Sequence, residues 1–133
     1  MLPVCVPPVP LPVRVLVVED DDHIAMALEF VIGREGMAYD RIAIGSKAVP
    51  RIRSTRPDLV MLDIILPELS GYDICLLVRE DPALAGVKLL MMTARGSAMD
   101  RQRALAVGAD GFVAKPFDLA ALRAEMRRVL ADR

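Results

Sequence analysis

Charged and hydroxyl side chains stand at the ends of four short apolar stretches in this chain of 133 residues. Glu19 and Asp20 follow one stretch, and Asp63, Thr93 and Lys115 end or follow the others. Apolar runs of this kind, bounded by breaker residues, are typical of strands buried on both faces of a parallel sheet. The carboxyl ends of such strands share one edge, where open α/β sheets keep their sites. We therefore expect these side chains to converge in space.

Their chemistry suits the handling of a phosphoryl group. Carboxylates gathered in one cleft repel one another and raise one another's pKa. A hard divalent cation relieves that repulsion, and Mg²⁺ takes one or two carboxylates together with phosphate oxygens. Lys115 would supply a point charge for phosphate, and the Thr93 hydroxyl would donate a hydrogen bond to it. The residues therefore predict a metal-assisted phosphoryl acceptor with Asp63 as the carboxylate nucleophile.

Five strand–helix pairs must position these residues. The first helix is predicted to start at an N-cap, Asp21 or Asp22, and to end before Gly36. Ala27 and Leu77 are predicted on the buried faces of the first and third helices. Such alternation predicts an α/β fold, a doubly wound parallel sheet of five strands with helices on both faces and the polar second strand at an edge. The strands are expected at about 13–18, 37–42, 59–62, 87–92 and 112–114, and the later helices at about 45–55, 72–80, 98–107 and 119–130.

Composition limits the classes of function. The length of 133 residues predicts one domain, at 13–131, and 54% hydrophobic residues with only 4% aromatic predict an aliphatic core. The net charge of −1 argues against nucleic-acid binding by this chain, and no uncharged apolar run approaches the roughly 18 residues that span a membrane. Residues 1–12 predict an extended Pro-rich tail rather than a signal peptide. Cys5 and Cys75 are too few for a disulfide framework, which indicates the cytoplasm.

Four motifs in this order resemble the receiver domain of bacterial two-component response regulators. The resemblance covers about 13–130, and it implies the flavodoxin-like, CheY-like three-layer sandwich with strand order 2-1-3-4-5. Each motif alone is weak, but the four together, at compatible spacings, are highly specific. They are VLVVEDD at 15–21, LVMLDIILPELSGYD at 59–73, LLMMTA at 89–94 and GADGFVAKPFD at 108–118.

The resemblance gives each residue at the sheet edge a role. Asp63 corresponds to the phosphorylated aspartate, and Lys115 to the lysine that pairs with the phosphoryl group. Glu19 and Asp20 resemble the acidic pair that holds Mg²⁺, for which Mn²⁺ can substitute. Asp63 itself and the backbone carbonyl of Ile65 are the further metal ligands that the resemblance implies.

Two more residues resemble the switch of the family. Thr93 corresponds to the switch hydroxyl and Phe112 to the aromatic switch residue. A phosphoryl group on Asp63 would draw Thr93 toward it and let Phe112 turn inward, which would change the surface of the fourth helix, fifth strand and fifth helix. The family also implies a cis peptide bond between Lys115 and Pro116.

The implied function is phosphorelay signalling in a two-component regulatory system. A sensor histidine kinase or a phosphotransfer protein would donate the phosphoryl group, and a downstream protein would bind the switched surface. The chain would not be an enzyme beyond its own phosphorylation and dephosphorylation, and it would act as a monomer or as a phosphorylation-dependent homodimer. It would be a stand-alone receiver or part of a longer regulator. Gly111 replaces the second acidic residue common in winged-helix relatives, which weakens the expectation of their charged dimer interface.

Three other functions compete with this hypothesis. A haloacid-dehalogenase-type phosphatase needs a second aspartate two positions after the nucleophile, where this chain has Ile65. A flavodoxin-like flavin binder needs a phosphate loop after the first strand, where the carboxylates of residues 19–22 would repel phosphate. A receiver-shaped interaction module that works without phosphorylation stays open. In the receiver family, the positions that Ile65 and Arg95 occupy flank the path of attacking water, and the aliphatic Ile65 predicts a long-lived phosphoryl state.

Overall fold

Five strands alternate with five helices in the computed structural model, which describes residues 12–94 and 98–131. Single 3-10 turns lie at Gly45–Lys47 and Pro82–Leu84. The predicted Pro-rich tail falls almost entirely outside the described residues. The strands are β1 (Arg14–Val18), β2 (Ala38–Ile42), β3 (Leu59–Asp63), β4 (Lys88–Thr93) and β5 (Gly111–Ala114), and the helices are α1 (Asp22–Arg34), α2 (Ala48–Thr55), α3 (Gly71–Glu80), α4 (Ala98–Ala106) and α5 (Leu119–Ala131).

The strands form one parallel sheet in the order β2-β1-β3-β4-β5, which confirms the predicted fold class. Every residue of β3 is buried, as expected for the central strand of a doubly wound sheet. Three residues of β2 are only half-buried, and this polar strand lies at one edge. The register sets Val18 opposite Leu62 and Asp63 opposite Met92, so the carboxyl ends of β1, β3 and β4 are level.

The core has two parts because neighbouring residues of a strand point to opposite faces of the sheet. Val60 and Leu62 of β3 pack with apolar residues of α2, α3 and α4, whereas Leu59 and Met61 pack with those of α1 and α5. The helices are therefore divided between the two faces, three on one and two on the other. None of the helices in the described ranges has the length and apolar character needed to cross a membrane.

Two details of the predicted helix faces were wrong. Ala27 of α1 is exposed, and 38% of Leu77 in α3 is exposed. The buried face of α3 instead includes Ile74, Cys75 and Val78, so the buried stripe is turned toward Cys75 and away from Leu77. At 3.6 residues per turn, a helix against a sheet buries only about a third of its circumference. Leu77 lies just beyond that stripe.

Candidate functional site

The loop between β1 and α1 is fixed at both ends. The backbone N–H of Glu19 donates to the carbonyl of Ile42 on β2 (3.0 Å). At the other end, Asp21 is the N-cap of α1, and its Oδ1 accepts the backbone N–H of His23 (2.8 Å). This confirms Asp21 as the cap and leaves Glu19 and Asp20 at the carboxyl edge of the sheet.

The loop after β3 folds back directly onto Asp63. The backbone N–H of Ile64 donates to the carbonyl of Met92 (3.0 Å), and the N–H of Ile65 donates to Asp63 Oδ1 (3.3 Å). Helix α3 then begins at Gly71, whose N–H donates to the carbonyl of Ile64 (2.9 Å). Gly71 lies so close that a Cβ there would overlap the Asp63 backbone carbonyl oxygen. The end of β3 is therefore held between β4 and the first residue of α3.

Lys115 joins the acidic residues from the end of β5. Its Nζ contacts Glu19 Oε1 and lies 3.1 Å from Asp63 Oδ2. The Lys115–Pro116 peptide bond is cis, as the resemblance implied. Carboxylate oxygens of Glu19, Asp20 and Asp63 lie within 4.8 Å of one another. The structure thus brings together the four charged residues singled out in the sequence.

Burial and charge shift the protonation equilibria in this cluster. Glu19 is fully buried, and desolvation together with the nearby Asp63 carboxylate raises the pKa of Glu19 to about 7, although Lys115 opposes the shift. Burial alone would lower the pKa of Lys115, but its contact with Glu19 and the charge of Asp63 outweigh burial and raise that pKa. Lys115 is therefore a cation held against two carboxylates.

The donor set fits a hard divalent cation. Glu19 and Asp63 are buried, Asp20 is exposed, and all three offer oxygen. Mg²⁺ and Mn²⁺ favour carboxylate oxygen and water as ligands. The cluster has three carboxyl groups and one ammonium group, which contacts two of them, so negative charge is left to attract a cation at the exposed Asp20.

The two predicted switch residues lie on adjacent strands. Thr93 is buried at the end of β4, and its carbonyl accepts the backbone N–H of Lys115 (2.6 Å). Phe112 is half-buried on β5 and pairs in register with Met91, two residues before Thr93. Because side chains alternate along a strand, Thr93 and Phe112 point to the same face of the sheet. Phe112 also packs against the core cluster on that face.

Sequence reasoning missed Arg41, which lies next to the acidic loop. Its guanidinium donates to the Glu19 carbonyl through Nε (3.1 Å) and Nη2 (2.9 Å), and to Asp22 Oδ1 through Nη1 (2.8 Å). The signal was a basic residue near the end of the strand that pairs with β1, where Val17 lies opposite Arg41. Of the flanking residues, 65% of Ile65 is exposed, and Arg95 lies outside the described residues.

The chain is similar to known proteins over most of its length. The family model described as the response regulator receiver domain matches residues 15–127. The DNA-binding response regulator MtrA of Mycolicibacterium smegmatis is 41% identical over 119 residues, which cover 86% of this chain and 51% of MtrA. The chain spans about half the length of this and the other curated relatives it matches.

Two solved structures share the fold. The chemotaxis response regulator CheY4 of Vibrio cholerae is 27% identical with a TM-score of 0.83, and the match covers 89% of this chain and 98% of CheY4. The receiver domain of a sensor histidine kinase from Pseudomonas aeruginosa is 28% identical with a TM-score of 0.82, and the match covers 90% of this chain and 98% of that domain. The latter structure has a magnesium ion coordinated in the active site cleft.

Proposed function

The chain belongs to the family of response regulator receiver domains, and we propose that it accepts a phosphoryl group on Asp63 within a two-component phosphorelay. As a receiver domain, it is not a conventional enzyme. The observation that carries the proposal is the meeting of Glu19, Asp20 and Asp63 with the Lys115 ammonium at one edge of the sheet. These residues lie at the ends of three separate strands. Their convergence places Asp63 beside two further carboxylates that could bind a cation and beside the fixed positive charge of Lys115.

The phosphoryl transfer would be a displacement at phosphorus. An oxygen of the Asp63 carboxylate forms a bond to phosphorus while the bond from phosphorus to the leaving atom of the donor breaks, and the leaving atom keeps the electron pair. Lys115 Nζ, 3.1 Å from Asp63 Oδ2, is placed to stabilise the charge on the transferred group. The Thr93 hydroxyl is the further donor that we assign to the phosphoryl oxygens.

The acidic residues would hold the divalent cation. Glu19, Asp20 and Asp63 would bind Mg²⁺ through carboxylate oxygens, and the Ile65 backbone carbonyl would add a further ligand. When bound, the cation neutralises negative charge that carboxylates and phosphate would otherwise bring together. The Ile65 N–H donates to Asp63 Oδ1, which keeps this loop beside the carboxylate.

The output would come from the surface of α4, β5 and α5. A phosphoryl group adds about 1.5–2 negative charges and new acceptor oxygens. Thr93 would move toward them, and Phe112, which faces the same side of the sheet, would occupy the vacated space. The result is a population shift between two packings of one fold.

We propose that a sensor histidine kinase or a phosphotransfer protein donates the phosphoryl group, and that a downstream protein target binds the switched surface. The match to about half the length of the curated regulators is compatible with two arrangements, a stand-alone receiver and the receiver part of a longer protein. In the second arrangement, DNA binding would belong to the further domain, as the name of MtrA suggests for that protein. Size-exclusion chromatography with and without phosphorylation would distinguish a monomer from a phosphorylation-dependent dimer.

Phosphorylation by a small donor tests the proposal. The protein is incubated with acetyl phosphate and Mg²⁺ and analysed by intact mass, together with Asp63→Asn and the control Asp81→Asn at the far end of α3. Wild type and the control should gain one phosphoryl group, and Asp63→Asn and chelated samples should gain none. A wild type that binds Mg²⁺ but gains no phosphoryl group would contradict the proposal and favour the phosphorylation-independent module.

We also propose that the phosphoryl group is long-lived, because the exposed Ile65 side chain presents an aliphatic surface where water must approach. The measurement is the decay of phosphorylated mass after the donor is removed. An Ile65→Asn variant should lose the group faster than wild type. Rapid loss from the isolated wild-type phosphoprotein would contradict this assignment.

A further inference from the structure

Arg41 ties the edge strand β2 to both ends of the acidic loop between β1 and α1. Its guanidinium holds the carbonyl of Glu19 through two N–H groups and the carboxylate of Asp22 through a third. Between these two anchors lies Asp20, the one exposed member of the carboxylate cluster. Only 24% of the Arg41 side chain is exposed, so the fork is held in place by its surroundings.

The contact is specific to the shape of a guanidinium. Two donors from one planar group meet a single carbonyl at 3.1 and 2.9 Å while the third points to a carboxylate at 2.8 Å. A lysine has the same charge but no rigid fork, and cannot reproduce this arrangement. Because β2 also accepts the Glu19 N–H, the backbone of Glu19 is held through both of its polar groups.

We propose that Arg41 is a positioning residue that preorganises the β1–α1 loop for the divalent cation. The inference rests on the proposed function, since it assigns the cation to the Glu19, Asp20 and Asp63 carboxylates. With the loop held beforehand, cation binding does not have to order the backbone that carries Asp20. Arg41 does not contact the cation and acts through the residues that do.

Two effects of Arg41 oppose each other, and the structure indicates which is larger. Its positive charge repels a cation, but Asp22 pairs with that charge and is 84% exposed, so solvent screens what remains. The preorganising effect depends on geometry and is not screened. Removing residues that orient metal ligands typically weakens metal affinity about 10–100-fold. Because Arg41 holds a ligand's backbone and not its side chain, we expect the low end, about tenfold.

The test measures the affinity of the metal-free protein for Mn²⁺ in the absence of any phosphodonor, with electron paramagnetic resonance as the detection method. The variants are Arg41→Ala, Arg41→Lys and the control Arg53→Ala, which removes an arginine paired with Asp81 far from the acidic loop. Arg41→Ala and Arg41→Lys should both bind Mn²⁺ about tenfold more weakly than wild type. Arg53→Ala should bind like wild type. The deficit should persist when the salt concentration is raised.

A second measurement separates positioning from general destabilisation. Amide hydrogen exchange of residues 20–22 in the metal-free protein should be faster in both Arg41 variants, while exchange in the centre of β3 stays as in wild type. Arg41→Lys keeps the aliphatic stem and the charge, so it provides a folded variant if Arg41→Ala unfolds. Unchanged exchange at residues 20–22 would overturn the proposal.

Three binding results would also overturn the proposal, each for a different reason. If Arg41→Ala binds Mn²⁺ as tightly as wild type or more tightly, charge repulsion outweighs positioning. If Arg41→Lys binds like wild type, the charge matters and the fork does not. If wild-type protein itself does not bind Mn²⁺, the cation site of the proposed function fails, whatever the variants do.

Discussion

Replacing Gly71 with alanine should destabilise the protein by displacing the backbone of Asp63, the proposed phosphoryl acceptor. A Cβ at Gly71 would overlap the backbone carbonyl oxygen of Asp63 and lie 3.0 Å from Ile64 Cα and 3.1 Å from the Asp63 carbonyl carbon. All three are backbone atoms, so no side-chain rotation can make room. The start of α3 must therefore move away from the end of β3, and this movement weakens the hydrogen bond that the Gly71 N–H donates to the Ile64 carbonyl (2.9 Å).

The magnitude follows from two opposing contributions. Inserting a methyl group into a packed region typically costs about 1–3 kcal/mol, and backbone neighbours put Gly71→Ala in the upper part of that range. Alanine returns up to about 1 kcal/mol through its better helix propensity. The net loss should be about 2 kcal/mol, a fall in Tm of roughly 6–10 °C for a domain of this size.

Gly33→Ala is the matched control for this prediction. Gly33 lies in α1 with nothing within 4 Å of an added Cβ, so alanine there should stabilise by about 0.5–1 kcal/mol. Urea unfolding followed by circular dichroism would show opposite shifts of the midpoint with unchanged slopes. Gly71→Ala should also slow phosphorylation, because the displaced backbone belongs to Asp63. If Gly71→Ala is as stable as wild type, the loop after β3 can move to accommodate the added methyl group. That result would refute the close packing of Gly71 against the Asp63 backbone.

Three further predictions concern other parts of the molecule. Arg79→Ala should cost about 2–3 kcal/mol, because the half-buried guanidinium donates to three acceptors at 2.6–2.9 Å. Arg53 has one carboxylate partner and its side chain is 55% exposed, so Arg53→Ala should cost under about 0.5 kcal/mol by urea unfolding. In a Cys5→Ser background, Cys75 should resist iodoacetamide until the protein unfolds, because burial removes access and raises the pKa of the thiol to about 12; rapid labelling would contradict this. Mg²⁺ affinity should fall as the pH drops through about 7, since a proton on Glu19 competes with the cation; calorimetry in buffers of different ionisation enthalpy should detect proton release on binding, and its absence would contradict the assignment.

The positions of the strands, and the distinction between buried strands and the polar edge strand, were predictable because a buried parallel strand must be apolar on both faces. β3 meets this condition at Leu59–Leu62, and its end at Asp63 follows from the charge. The start of the second helix was less predictable. Gly45–Lys47 forms a 3-10 turn before α2 begins, and a Cβ at Gly45 would overlap the carbonyl oxygen of Leu69. That constraint comes from a loop more than twenty residues away, which local propensity cannot express.

The charged residues of the site could be predicted from the sequence, whereas the contact made by Arg41 could not. Asp63 ends a strand, and Glu19 and Lys115 each directly follow one, so topology alone places them at one edge. Arg41 acts on the carbonyl of Glu19, and a backbone acceptor leaves no trace in residue type. Its role depends on the register of β2 against β1, which sets Arg41 opposite Val17. Contacts between a side chain and a backbone across strands are therefore the part of a site that sequence patterns express least.

The charge balance around Asp63 gives a physical link between the proposed cation binding and the proposed phosphoryl transfer. Burying Glu19 and Asp63 side by side requires a compensating charge, and Lys115 supplies it by contacting both carboxylates. A phosphoryl group on Asp63 would attract the same ammonium, and Glu19 would then be left as a buried charge without its cation. If Glu19 and Asp20 hold a divalent ion, as we propose, its charge would remove that cost by taking the place of Lys115 beside Glu19. The single lysine shared by two buried carboxylates is therefore the physical reason for which we propose that phosphorylation depends on the cation.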